Sequence, residues 1–187
     1  MATGSVHPTA LMESTTVGDG TRVWAFCHVL AGAVVGRNCN IGDHCYVEGG
    51  ASIGDDVVVK NGVSIWDGVF LGNRVFVGPN VAFTNDRLPR AKVFHQASTP
   101  TVIEEGVSLG AHATIICGIV VGRYALVGAG AVVTRDVPPF ALVLGNPGRI
   151  VGYVCRCAVR LHFVDLTAAC PCGRNYRRDH DRVEETS

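Results

Sequence analysis

An aliphatic or aromatic residue returns every six positions through most of this 187-residue chain. The series runs Val17, Val23, Val29, Val35, Ile41, Val47, Ile53, Val59, Ile65, Leu71, Val77 and Phe83, and resumes at Ile103, Leu109, Ile115, Val121, Val127 and Val133. Four positions after each comes a compact or β-branched residue, as at Thr21, Cys27, Ala33, Cys39, Cys45, Ala51, Ala113, Ala125 and Ala131. Glycine often follows the first residue directly, as at Gly36, Gly42, Gly54, Gly72, Gly78, Gly110, Gly122 and Gly128. A period of six matches neither the 3.6 of a helix nor the alternation of a strand in a meander. It is the period of a three-sided parallel β-helix, in which three hexads close one coil and stacked coils bury the first residue of each hexad.

One interval breaks the register. Phe83 and Ile103 lie twenty residues apart, which is not a multiple of six, and the stretch between them is polar and holds Pro89 and Pro100. We read residues 84–102 as a loop thrown out from the wall, and long loops on a rigid scaffold commonly carry function. The organisation expected is a lead-in over 1–16, a β-helix over 17–137 with that loop, and a C-terminal segment over 138–187.

Sixteen basic residues balance sixteen acidic ones, with no basic stripe, which argues against a nucleic-acid partner. The longest uncharged stretch, residues 106–122, is short for a membrane span and keeps the hexad phase. No basic-then-apolar segment opens the chain, so a cytoplasmic location is expected. Of eight cysteines, Cys27, Cys39 and Cys45 fall at the compact inward position, where a free thiol serves as a small apolar group. Four others are paired beyond the repeat: Cys155 with Cys157, and Cys170 with Cys172. Their one-residue spacing is tighter than the usual two. Four thiolates nonetheless suit a structural zinc ion with no open coordination position.

The run from Val127 to Pro139, followed by Leu144-Gly-Asn-Pro-Gly-Arg-Ile150, resembles the C-terminal signature of hexapeptide acyltransferases. HPTA at His7–Ala10, TRVWAF at Thr21–Phe26, SIWDGV at Ser64–Val69 and GPNVAFTNDRLPR at Gly78–Arg90 narrow the resemblance. They are similar to bacterial N-acetyltransferases of nucleotide-linked 3-amino sugars, nearer the dTDP-3-amino-3,6-dideoxyhexose branch than the UDP-3-amino-uronate branch. The resemblance covers residues 6–153. It implies a left-handed coil, a homotrimer, and acetyl-CoA in the groove between neighbouring prisms, in a pathway feeding a surface glycan such as an O-antigen. On the same ground the pantetheine arm would pass Ala111, Gly128, Ala129 and Gly130, with Asn146 and Arg149 at the CoA end; a guanidinium suits phosphate. Asn85 would hydrogen-bond the attacking amine and Asp86 would orient it. Glu48, Lys60, Trp66, Asp67 and Arg87 would meet the sugar nucleotide, with Trp66 either stacking on it or packing between subunits.

For the proton acceptor the sequence offers His112, at an outward position near the expected thioester, with His95 on the loop a weaker choice. The departing CoA thiolate is an alternative that needs no side-chain base. Two other classes share the scaffold: a zinc-dependent hydratase, for which His44 and His112 share a hexad phase, and a non-catalytic binding module.

Overall fold

In the computed structural model the described residues are 4–93, 99–180 and 182–186. Every regular element among them is a strand, mostly two residues long, and the strands form three parallel faces. Face I stacks Ser5–Val6, Arg22–Val23, Asn40–Ile41, Val58–Val59, Phe76–Val77, Ser108–Leu109, Leu126–Val127 and Ala141–Leu144. Face II stacks Leu11–Met12, His28–Val29, Tyr46–Val47, Ser64–Ile65, Ala82–Phe83, Thr114–Ile115 and Val132–Val133. Face III stacks Thr16–Val17, Val34–Val35, Ser52–Ile53, Val69–Leu71, Thr101–Ile103 and Val120–Val121. The result is a left-handed parallel β-helix of about seven turns.

The sequence pattern explains the packing residue by residue. The first position of each hexad lines the axis, with Ile41, Val47, Val59, Ile65, Leu109, Ile115 and Val127 wholly buried. The compact position also points inward. There Thr21 donates its hydroxyl to the Gly36 carbonyl at 2.6 Å, and three thiols do the same: Cys27 to Gly42 at 2.9 Å, Cys39 to Gly54 at 3.0 Å, Cys45 to Lys60 at 3.2 Å. These cysteines are therefore donors to the next coil's backbone as well as apolar filler. Burial pushes the Cys39 thiol above its ordinary range.

Glycine after the inward residue lets successive layers touch. An added Cβ at Gly110 would stand 2.4 Å from the backbone nitrogen of Ala129, and one at Gly78 would stand 2.7 Å from that of Ala111. The hydrogen-bond ladder is unbroken along this edge: Gly42 N–H donates to Val59, Lys60 to Val77, Gly78 to Leu109, Gly110 to Val127 and Gly128 to Val143.

The coil reaches beyond the strict repeat at both ends. Ser5–Val6, Leu11–Met12 and Thr16–Val17 pair with the next turn, and Ala141–Leu144 pairs in parallel with Leu126–Val127. Neither end shows the motif because its sequence is irregular: residues 5–12 carry the polar HPTA turn, and residues 138–140 carry Pro-Pro-Phe. The loop leaves after Phe83. Leu71 pairs with Ile103, thirty-two residues on rather than eighteen, so fourteen residues are inserted without disturbing the stack. The coil resumes at Thr101, whose hydroxyl accepts the N–H of Gly118 at 3.0 Å. Beyond Leu144 the chain turns back antiparallel through Arg149–Val154 and Arg160–Leu161, then forms a separate sheet of Thr167–Ala169, Asn175–Asp179 and Arg182–Thr186. No helix among the described residues is long and apolar enough to cross a membrane.

Candidate functional site

Eighteen residues make one coil, so residues eighteen apart stack into columns at the three corners. The corner between faces I and II carries Phe26, His44, Gly62, Asn80, His112 and Gly130, all with positive φ. Each N–H in this column, from His44 upward, donates to the carbonyl one layer below; that of His112 goes to Pro79 at 3.0 Å and that of Gly130 to Ala111 at 2.9 Å. Ala111 and Ala129 form the adjoining column, and Gly128 and Lys60 the one before it, so these candidates share one edge. Ala129, Gly130 and His112 are exposed. A Cβ on Gly130 would meet nothing within 4 Å, so main chain lies open to any ligand that approaches there.

The segment Gly145–Gly148 joins this edge from above. Val132 N–H donates to the Gly145 carbonyl at 3.0 Å, and Gly148 N–H to the Val132 carbonyl at 2.7 Å. The peptide before Pro147 is cis, Asn146 is exposed, and the Arg149 guanidinium donates to the Gly148 carbonyl at 3.0 Å. Beside it a cleft of about 260 Å³ is lined by Val133, Thr134, Arg135, Asp136, Val137, Val143, Gly148 and Ile150.

The other set occupies the corner between faces II and III. Asp67 sits over Gly49, and Asn85 over Asp67, by the pairing of Ser64 with Tyr46 and Ala82. The Asp67 N–H donates to Glu48 Oε2 at 2.9 Å, which brings these two carboxylates to one turn. Trp66 is half-buried, with its ring 5.6 Å from that of Tyr46 and its indole N–H donating to the Phe83 carbonyl at 2.7 Å. It thus braces the point where the loop departs. Asp86 Oδ1 accepts the Leu88 N–H at 2.8 Å, a local turn contact. Arg87 Nε donates to the Cys117 carbonyl at 3.1 Å, and Thr84 Oγ1 accepts the Cys117 N–H at 2.9 Å. Cys117 and Thr84, neither marked by the repeat, therefore anchor the loop base; only their place beside the register break hinted at it. Asn85 is exposed. His95 lies outside the described residues.

Two groups of candidates therefore stand on different corners of one chain. Asn80, directly below His112, precedes Asn85 by five residues, an extended path of roughly 16 Å. His44 and His112 share a column, but Gly62 and Asn80 intervene, placing them about 14 Å apart at the strand spacing.

The tail cysteines converge. The sulfurs of Cys155, Cys157, Cys170 and Cys172 all lie within 4.8 Å of one another. The N–H of Arg174, the Cys170 thiol and the Arg174 guanidinium together pull the Cys172 thiol down to about 6.

The sequence and fold can be set beside known proteins. The profile described as bacterial transferase hexapeptide (six repeats) matches residues 14–49 and 100–135, and that of the hexapeptide repeat of succinyl-transferase matches 32–67. The dTDP-3-amino-3,6-dideoxy-alpha-D-galactopyranose 3-N-acetyltransferase of Aneurinibacillus thermoaerophilus is 51% identical over 172 residues, covering 92% of this chain and 90% of that one. The acetyltransferase domain of PglB from Neisseria gonorrhoeae superposes with a TM-score of 0.53 at 23% identity, over 79% of this chain and 57% of that chain. The UDP-N-acetylglucosamine acyltransferase from Campylobacter jejuni gives 0.54 at 15% identity, over 80% and 75%. At those identities the solved structures speak for the fold. The near-full-length relative speaks for more: this chain belongs to the hexapeptide-repeat transferases and, within them, to the N-acetyltransferases of nucleotide-linked 3-amino sugars.

Proposed function

We propose that this protein transfers acetyl from acetyl-CoA to the 3-amino group of a dTDP-linked 3-amino-3,6-dideoxyhexose. The observation that carries the reading is the 51% identity to an enzyme of that activity across 92% of the chain. The reaction needs an unprotonated amine, a carbonyl carbon it can reach, and somewhere for one proton to go. Acetyl-CoA supplies an activated acyl group with a thiolate leaving group. The chain supplies position. Main chain lies open at Gly130, with Ala129 exposed beside it and Ala111 one layer below; the proposed path of an extended amide-bearing arm passes these and Gly128, over which Leu144 packs. Asn146 and Arg149 lie at its far end, where a guanidinium suits phosphate.

The sugar side of the reading uses Glu48, Trp66, Asp67, Asn85, Asp86 and Arg87 on the II–III corner, with Lys60 on the I–II edge. Asn85 holds the amine so that its lone pair faces the acyl carbon, and Asp86 helps orient it. The C–N bond forms, the C–S bond breaks, and the amine proton passes to His112, our choice of acceptor. What supports His112 is its exposure beside Ala111 and one layer below Gly130. Because the two sets occupy different corners, one site takes its halves from two chains. That supports a homotrimer with face II towards the three-fold axis, so that the II–III corner of one prism meets the I–II corner of the next. The cytoplasm, where acetyl-CoA is made, is the matching location, and a surface glycan such as an O-antigen the matching destination.

Zinc belongs to the tail in this reading, on Cys155, Cys157, Cys170 and Cys172. Four thiolates leave no open coordination position, so the ion takes no part in the transfer.

The test is mass-detected acetyl transfer to a panel of dTDP- and UDP-linked 3-amino and 4-amino sugars. Preference for a dTDP-linked 3-amino-6-deoxy substrate is expected. Transfer only to a UDP-linked uronate would move the protein to the other branch. No transfer to any member, together with no acetyl-CoA binding by calorimetry, would refute the enzyme assignment.

A further inference from the structure

The tail does more than carry four cysteines. Two of them, Cys155 and Cys170, are buried, and two, Cys157 and Cys172, are exposed. Packing therefore does not explain the cluster, since an exposed thiol fills no core. Disulfides do not explain it either. The two shortest separations are 3.4 Å, Cys155 to Cys172, and 3.5 Å, Cys157 to Cys170, against about 2.05 Å for a bond. Tetrahedral zinc with Zn–S of about 2.3 Å holds its sulfurs about 3.8 Å apart, which is the spacing this cluster approaches.

Each pair sits in its own tight turn. Cys155 N–H donates to the Val159 carbonyl, and Ala158, with φ of 66°, closes the first turn on the Cys155 carbonyl. Cys170 N–H donates to the Arg174 carbonyl, and Gly173, with φ of 91°, closes the second on the Cys170 carbonyl. These turns aim both sulfurs of a pair the same way, which is how a one-residue spacing serves. Donors already face the sulfurs: the Tyr176 hydroxyl reaches Cys155 Sγ at 3.1 Å and Arg174 Nη1 reaches Cys172 Sγ at 3.3 Å. Hydrogen bonds from outside the ligand set are what orient and charge-balance metal-bound thiolates.

The residue between the first two ligands points at the β-helix. Arg156 Nη2 donates to the Tyr124 hydroxyl at 2.6 Å, and its guanidinium lies 4.4 Å from the centre of that ring. Tyr124 stacks on Phe140, which meets Tyr176 edge-on at 5.4 Å. Phe140, Cys155, Cys170 and Tyr176 belong to the same continuous core as the coils. Solenoids need their terminal apolar layer covered.

We infer that the tail is a zinc-pinned cap, in which one Zn²⁺ on the four thiolates locks two hairpin turns together and thereby holds Arg156 and Tyr176 over the last coil. The inference rests on the zinc reading above and adds the cap to it. Zinc enters as the dication and displaces four thiol protons to solvent, leaving a doubly negative centre beside Arg156 and Arg174. Glu185 pairs with both arginines, at 3.4 Å and 3.3 Å, so the final strand is tied to the same centre.

The experiment is elemental analysis of the full-length protein, followed by hydrogen exchange. One zinc per chain is expected, falling at least fivefold in Cys157→Ser. In that variant the amides of Val154, Cys155 and Arg156, bonded to Phe140, Val159 and Tyr176, should exchange about tenfold faster, with residues 22–77 unchanged. Arg156→Ala keeps all four ligands, so it guards against a ligand variant that merely misfolds. It should retain zinc and still speed exchange at Val154. A metal-free wild type, or iron in place of zinc, would overturn the zinc reading and with it the cap, while leaving the acetyltransferase reading untouched. Zinc retained in Arg156→Ala with unchanged exchange at Val154 would overturn the cap alone.

Discussion

Two glycines on the same edge should respond differently to one added methyl group. Gly110 lies within the stack: its Cβ would fall 2.4 Å from Ala129 N and 2.7 Å from the Gly128 carbonyl carbon. Neither atom can swing away, so the layers must part by about 1 Å to reach ordinary contact, at an overpacking cost of 1–3 kcal/mol. That movement stretches the Gly110 N–H bond to Val127, now 2.7 Å, out of range and forfeits about 1 kcal/mol more. Gly110→Ala should therefore lose about 3 kcal/mol, or roughly 6–12 °C in Tm for a chain this size. Gly130 has φ of 68° and open space around a Cβ. Its alanine variant meets a left-handed penalty of about 1–2 kcal/mol, partly offset by a less flexible unfolded chain, so roughly 2–4 °C is expected. In exchange the methyl intrudes where we place the pantetheine arm, and KM for acetyl-CoA should rise about tenfold. Both variants are to be melted at one chain concentration, since association raises Tm by mass action. Equal Tm losses would refute the distinction between a packing glycine and a binding glycine. An unchanged KM in Gly130→Ala would remove the arm from that edge.

Asn85→Ala should lower kcat by about 10²-fold with KM for acetyl-CoA little changed, as expected for a group that orients the reacting amine. His112→Ala should lower kcat by at least about 10²-fold with KM for acetyl-CoA little changed; retention of full turnover would pass the proton to the departing thiolate instead. Arg149→Ala should raise KM for acetyl-CoA about tenfold at low salt and much less at high salt, because a guanidinium–phosphate contact is screened. An unchanged KM would leave Arg149 as a surface side chain.

The coil was legible because burial on all three faces repeats one steric demand every six residues, and every inward position from Val23 to Phe83 meets it. Its ends were not. Ser5, Val6 and Leu11 are exposed on the open side of the first turn and Met12 is only partly buried, so the steric demand that marks the later coils is weak there. The loop was legible as a break in phase, whereas its anchors were not, since Thr84 and Arg87 act through backbone atoms of a segment thirty residues on. Trp66 illustrates the same limit. Its outward phase suggested stacking on the substrate or packing between subunits, and nothing in that phase announced the bond from its N–H to the Phe83 carbonyl at the base of the loop. The four tail cysteines were legible as a set, but their convergence depends on two turns whose pairing no spacing rule reveals.

The separation of Asn85 from His112 makes the assembly itself testable. Suppose each site joins the II–III corner of one subunit to the I–II corner of the next. A chain with Asn85→Ala then still offers an intact His112 edge, and a chain with His112→Ala still offers an intact Asn85 corner. Each homotrimer is impaired at all of its sites, yet in trimers assembled at random from equal amounts of the two, about a quarter of the sites combine two wild-type halves. Denaturing and refolding the variants together should thus restore about a quarter of wild-type turnover, with wild-type KM values at the recovered sites, while mixing them folded should restore nothing until subunits exchange. A site contained in one chain predicts no recovery under either protocol. Recovery therefore fixes which corners face each other, and its absence would refute the shared site, leaving Asn85 or His112 outside the reacting centre.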